Sequence, residues 1–193
     1  MSDLREVLVV PDAAAWRAWL DEHEDSSDGV WLALAKKGVV TPTSLRYDDA
    51  LEEALCSGWI DGPKHGIDDR VFGQRFTPRR QRSLWSERNV GIVAALVGDG
   101  RMRLRGQAEV DRAKADGRWD RAYAGAATAE VPDDLSAALG ASAAAGARFA
   151  ELNRVNRYAV IHRVVTAPSA TARANRLAKL VALLESGGAP YPQ

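Results

Sequence analysis

The residues best equipped for chemistry are concentrated between positions 55 and 89. Trp59, Asp61, Arg75, Phe76, Arg79, Ser83, Trp85 and Asn89 bring aromatic rings, a carboxylate, two guanidiniums and short polar groups into one span. Cys56 and His65 add a thiol and an imidazole. One use of such a set is a pocket. Tryptophan rings would stack an organic group, planar arginine donors would clamp an anion, and Asp61 would orient or deprotonate. The architectural alternative is an Asp–Arg pair under a tryptophan lid, which pins two strands to a helix and stabilises only weakly. The residue types leave both open.

If the span is catalytic, the chemistry is that of a cofactor-free hydrolase. Asp61 would act as base or nucleophile, and Arg75 or Arg79 would stabilise developing negative charge. Cys56 falls near a predicted helix C-terminus, where the dipole disfavours a thiolate, so a buried inert thiol is the simpler reading. His65 lies in Pro63-Lys64-His65-Gly66 and reads as a loop histidine, with general base as the alternative. His23 and His162 have no companions at ligand spacing, so no metal site is expected. Nothing resembles a phosphate-binding loop or a dinucleotide fingerprint, so no cofactor is expected either.

Arg70, Arg75, Arg79, Arg80, Arg82 and Arg88, followed by Arg101, Arg103 and Arg105, make a local basic excess. With Trp85 for stacking they would suit a nucleic-acid-binding module. Against that stands the whole chain, with 26 basic and 26 acidic residues and a net charge of zero. A solvated face balanced by acids elsewhere is the plainer account.

The elements that must position these residues follow from periodicity. Asp12 can cap a helix bearing Trp16, Trp19 and Leu20 on one face, so these tryptophans and Trp31 read as core. Residues 30–35 form a short apolar run and read as a buried strand. Thr43 or Ser44 could cap the next helix, which Gly58 stops. Residues 59–61 begin a strand, residues 62–69 read as a loop, and residues 70–77 alternate as a returning strand. In that hairpin Arg75 would lie opposite or diagonal to Asp61. Ser83 or Ser86 then starts a helix, and a further one covers 104–115. Beyond a small-residue linker at 124–130 the pattern is helical. The fold expected is α+β and predominantly helical. A small antiparallel sheet packs on helices in an α+β unit over 1–123, followed by an all-helical unit over 131–188 and a frayed tail over 189–193.

A chain of 193 residues can bury a core without staples, and its single cysteine forbids an internal disulfide. The start of the chain lacks a basic region followed by a long apolar stretch, so no signal peptide is expected. No apolar run is long enough to span a bilayer, so no membrane insertion is expected. The expected location is the cytoplasm. The oligomeric state is open, a homo-oligomer included.

Taken together, these stretches resemble the YdeI/OmpD-associated, or bacteriocin-protection, family. The resemblance rests on Ala50-Leu51-Glu52-Glu53-Ala54-Leu55-Cys56-Ser57-Gly58-Trp59-Ile60-Asp61-Gly62, Arg75-Phe76-Thr77-Pro78-Arg79-Arg80 and Ser83-Leu84-Trp85-Ser86-Glu87-Arg88-Asn89. Gly100-Arg101-Met102, 113–120 and Val131-Pro132-Asp133-Asp134-Leu135 continue it. Ser57 stands where the family often has an aromatic, and Arg173 and Arg176 match its later arginines. The resemblance implies a bacterial protection protein, linked to antimicrobial resistance and envelope stress. The sequence reading joins to it a small-molecule ligand, anionic or aromatic, bound at the hairpin and following helix.

Overall fold

The structure is a computed structural model that describes residues 7–192. The expectation of no signal peptide, read from residues 1–10, falls partly on residues 1–6, which with the last tail residue lie outside the described residues. Among these residues the chain forms eight helices and one four-stranded mixed sheet, an α+β fold that is predominantly helical. It divides into two compact units. The first comprises residues 1–83 and 89–120, the second residues 84–88 and 121–193.

In the first unit the sheet runs β1 (Val7–Leu8), β2 (Val30–Ala35), β4 (Val71–Pro78), β3 (Trp59–Gly66). β1 is parallel to β2; the other two pairings are antiparallel. Alternation puts Leu32, Leu34, Phe76 and Trp59 on one face. That face meets α1 (Ala13–His23), whose Trp16 ring lies 5.6 Å from Phe76 and edge-on to Trp59 at 6.5 Å. Trp19 meets Trp59 edge-on at 5.9 Å. Buried indoles need partners for their N–H groups. Trp16 Nε1 donates to the Ala50 carbonyl of α2 (Tyr47–Cys56), and Trp59 Nε1 donates to that of Glu24.

Three local features differ from the sequence reading, each for a physical reason. Thr43 and Ser44 do not cap α2. Ser44 donates to the Pro11 carbonyl through its N–H and its hydroxyl, while Thr43 Oγ1 accepts from Leu45 N–H. The N-cap position falls to Arg46, with no side-chain cap bond. Second, β3 continues through Gly62 and Pro63 instead of looping away. It is an edge strand with a register shift between Asp61 and Lys64, where proline costs no ladder hydrogen bond. Buried Gln74 closes the irregularity, its Nε2 donating to the Gly62 carbonyl at 2.6 Å. Third, of the two serines read as starting the helix after the hairpin, α3 (Glu87–Gly98), Ser86 immediately precedes it and Ser83 does not. Ser83 instead closes a turn with Arg80, through N–H to carbonyl at 2.8 Å and Arg80 N–H to Ser83 Oγ at 2.9 Å. Gly58, at φ +72°, ends α2 as expected, and α4 spans Leu104–Ala115.

The second unit is helical: α5 (Asp133–Ala141), α6 (Ala143–Glu151), α7 (Arg154–Val165) and α8 (Ala170–Glu185). Each of the last three begins at a capping side chain. Ser142, Asn153 and Ser169 accept from the N–H groups of Ala145, Asn156 and Ala172. Leu135, Leu139, Phe149, Leu152, Val160, Val164, Leu180 and Leu184 form the core between them. Within the tail expected to fray, Tyr191 is held by its backbone. Buried Asn156 accepts from Tyr191 N–H at 2.8 Å and donates to the Tyr191 carbonyl at 3.2 Å, a two-point clamp on the backbone. Arg148 adds a bond to the Gly188 carbonyl. Asn156→Ala should lower stability by about 2 kcal/mol, roughly one per lost bond. It should also make residues 188–192 the first site cut in limited proteolysis; an uncut tail in that variant would refute the clamp.

Candidate functional site

The hairpin residues divide into a sealed set and an accessible set. Cys56, Trp59, Phe76, Arg79, Trp85 and Asn89 are buried, while Asp61, Arg75, His65 and Ser83 are partly exposed. Trp59 and Phe76 are part of the aromatic core under α1. Asp61 pairs across the strands with Phe76, so Arg75 projects from the other face of the sheet and pairs with Trp31. The expected Asp61–Arg75 juxtaposition is therefore absent. The one extra residue of the β3 irregularity and the alternation of β4 set the register. Asp61 instead accepts the Tyr47 hydroxyl at 2.9 Å, so one of its oxygens already has a donor. Burial first, then the Glu53 carboxylate, push the Cys56 thiol up, which makes it a poor nucleophile.

His65 is a strand residue. Its ring lies over Gly73 and edge-on to Trp31 at 4.4 Å. A Cβ at Gly73 would come within 2.5 Å of that ring, so glycine is what lets the imidazole lie flat on the sheet. Among the described residues neither ring nitrogen has a hydrogen-bond partner. His65 also borders a shallow cavity of about 370 Å³ with Lys36, Lys64, Gly66 and Phe72.

The strongest electrostatic feature of the first unit was missed by the sequence reading. Glu53 is 3% exposed on α2 and receives three guanidiniums. Arg17 binds it in a two-point fork at 2.7 and 2.8 Å, Arg101 at 2.7 Å and Arg103 at 3.3 Å. Arg101 also holds Glu52 at 2.6 Å, Arg103 reaches Asp21 and Ser57 Oγ, and Arg105 pairs with Asp25 at 3.0 Å. Burial alone would raise the Glu53 carboxyl. The hydrogen bonds from Arg17 and Arg101 outweigh it and hold the group below its ordinary value. Arg101, Arg103 and Arg105, which looked like part of a basic surface, are thus neutralised within the unit. The signal was a glutamate among the apolar positions of a helix, since a buried carboxylate demands partners.

The second unit holds a cavity of its own. Its volume is about 340 Å³ and its walls include Tyr123, Tyr158, Ile161, Val165, Glu87 and Glu130. Tyr123 is fixed by a bridge to the 84–88 segment: its N–H donates to the Trp85 carbonyl, and its carbonyl accepts from Glu87 N–H, both at 3.0 Å. Trp85 and Glu87, singled out within the hairpin motif, therefore serve this unit. Tyr158 and His162 stand one helical turn apart on α7. The His162 ring meets Tyr123 edge-on at 4.7 Å and Tyr158 at 5.5 Å. Burial, then Arg176, push the imidazole down from its ordinary value; burial, then Tyr123, push the Tyr158 phenol up. Arg173 sits at the rim with two bonds to Asp134, at 2.7 and 2.8 Å, and a third to the Val164 carbonyl. Among the described residues no three of His, Cys, Asp and Glu converge as a metal site would require, and no helix is long and apolar enough to cross a membrane.

Residues 8–109 match a family described as a domain of unknown function, DUF8412, and residues 128–187 match the family described as bacteriocin-protection, YdeI or OmpD-associated. The first match covers more than half of the chain, which belongs to that family. The second bears out the resemblance and places it on the helical unit. The Glu53 network and the hairpin fall within the first match; Tyr158 and His162 fall within the second. No curated protein and no solved structure matches the chain.

Glu53→Gln should cost about 3 kcal/mol, because three partly buried guanidiniums lose their common acceptor. The carboxyl is lowered in the folded state, so its contribution is complete above its unfolded value near 4.5 and is lost as pH falls through the folded one. Denaturant melts of both forms from pH 7 to pH 3 should show the gap closing with acid. A gap that stays constant with pH would contradict this linkage.

Proposed function

We propose that this is a protection protein that works by binding a small organic molecule carrying an aromatic ring, in the Tyr123/Tyr158 cavity of the helical unit. The observation that carries the reading is the cavity itself. It has two phenol rings for stacking, Ile161 and Val165 as an apolar floor, and Glu87, Glu130 and Arg121 as polar groups along its wall. Ligand sites are commonly apolar hollows with a few converging polar groups, and shifted titratable residues cluster at them. The bacteriocin-protection match over 128–187 supports a protective role and covers most of this wall. Protection would follow from sequestration, and the cytoplasm suits a chain whose one cysteine is a buried free thiol.

This moves the weight of the reading away from the hairpin. Trp59, Phe76 and Arg79 are enclosed, and Asp61 already accepts a hydrogen bond. The hydrolase alternative would need Asp61 to meet a substrate, and the nucleic-acid alternative loses Arg101, Arg103 and Arg105 to ion pairs.

A thermal-shift screen with a library of aromatic amines, acids and phenols tests the site. Compounds that raise the Tm of the parent should lose most of their shift in Tyr158→Ala and in Glu130→Gln, and keep it in His65→Ala. Shifts retained in both cavity variants, or abolished by His65→Ala alone, would overturn the assignment and return the ligand to the hairpin end.

A further inference from the structure

A second hollow in the helical unit has a different chemistry. It encloses about 390 Å³ and is lined by Arg163 of α7 and by Arg176, Lys179, Leu180 and Leu183 of α8. Three cations surround an aliphatic floor. Among the described residues none of the three meets a carboxylate. Arg163 packs over the Tyr191 ring at 5.5 Å, and Arg176 donates to the Arg163 carbonyl at 2.9 Å and to Thr166 Oγ1 at 3.4 Å. These contacts fix the direction of two guanidiniums without neutralising them.

The sequence around the hollow sharpens the point. From 154 to 184 the chain contains Arg154, Arg157, Arg163, Arg173, Arg176 and Lys179, and neither aspartate nor glutamate. Yet the whole chain is neutral. Several arginines outside the hollow find acids, as at Arg17, Arg101, Arg103, Arg105 and Arg173. A charge-balanced chain that pairs several of its arginines, but gathers three cations without acids round one apolar hollow, keeps positive potential where an anion can use it.

We propose that the α7–α8 hollow binds a monomeric amphiphilic anion, an alkyl or aryl phosphate, sulfonate or carboxylate. The anionic head meets Arg163, Arg176 and Lys179, and the apolar portion lies on Leu180 and Leu183. Arginine forks and a lysine suit an oxyanion. The leucines explain why a simple inorganic ion fills only part of the site. A polyanion is disfavoured for the same reason, since nucleic-acid backbones need an extended cationic track rather than a hollow with a greasy floor. This site shares no lining residue with the Tyr123/Tyr158 cavity, so each stands or falls alone.

The test is a fluorescence titration of the full chain with 1-anilinonaphthalene-8-sulfonate, followed by competition. One saturable site is expected, displaced by decyl phosphate but not by equal concentrations of inorganic phosphate, decanol or polyuridylate. Lys179→Glu, at an exposed position, should weaken the probe about tenfold or more, the scale of a lost charge-assisted contact. Arg163→Gln should do the same, and Tyr158→Ala should not. Circular dichroism keeps the variants comparable by confirming native helix content. Pelleting with vesicles of phosphatidylglycerol but not phosphatidylcholine would identify a lipid headgroup as the source of the amphiphile; decyl phosphate binding without pelleting would identify a free one. Unchanged probe affinity in Lys179→Glu and Arg163→Gln, or displacement by polyuridylate or inorganic phosphate as effective as by decyl phosphate, would overturn the proposal.

Discussion

Glu53 is a carboxylate on the buried side of a helix, and much of the first unit is arranged around satisfying it. A lone buried carboxylate is costly, and three guanidiniums from two distant parts of the chain meet the cost. Arg17 comes from α1; Arg101 and Arg103 come from the segment that leads into α4. Once those arginines are committed, α1, α2 and the start of α4 are held together. Arg103 and Arg105 then extend the network to Asp21, Ser57 and Asp25. With α1 fixed, Trp16 and Trp19 lie against Trp59 and Phe76, and the sheet face is covered. Removing one partner of such a buried network costs more than the network's net contribution, because it leaves the other charges uncompensated.

The hairpin is the part where sequence reasoning was both most and least successful. The strand 70–77 was legible from alternation, the start of its partner at 59–61 from its place after the helix stop, and Gly58 as that stop. The irregularity at Gly62 and Pro63 was not. Proline and glycine together signal a turn in almost any context, and only the knowledge that β3 is an edge strand makes a continued ladder the better reading. That one local feature changes which side chains share a face, and so separates Asp61 from Arg75. Periodicity cannot resolve a shift of one or two residues, although the shift decides which residues meet.

The helical unit was legible as helices but not as a site. Asp133, Ser169 and the leucines at helical spacing announce α5 and α8. Tyr123, Tyr158 and His162 carry no motif, because aromatic residues one turn apart on a helix are usually core. Tyr123 reaches them through a two-residue bridge to the 84–88 segment, and nothing in the local sequence encodes that pairing. The two aromatic readings changed places for this reason. The conspicuous Trp59 and Phe76 are buried beneath α1, whereas Tyr123 and Tyr158 border a cavity.

Charge shows the same contrast between a global number and its arrangement. A net charge of zero was reason to discount electrostatics, and in the first unit Arg17, Arg101, Arg103 and Arg105 each do face a carboxylate. In the helical unit the same zero is misleading. Residues 154–184 hold six cations and no acid, and of these only Arg173 is turned onto a carboxylate, Asp134, among the described residues. Neutrality summed over a chain constrains its behaviour at long range, where opposite patches cancel. It does not constrain a hollow a few ångströms across, where the nearest three side chains set the potential. Positions at which cations are oriented by carbonyls and rings rather than by acids are therefore where an otherwise neutral protein can recognise an anion.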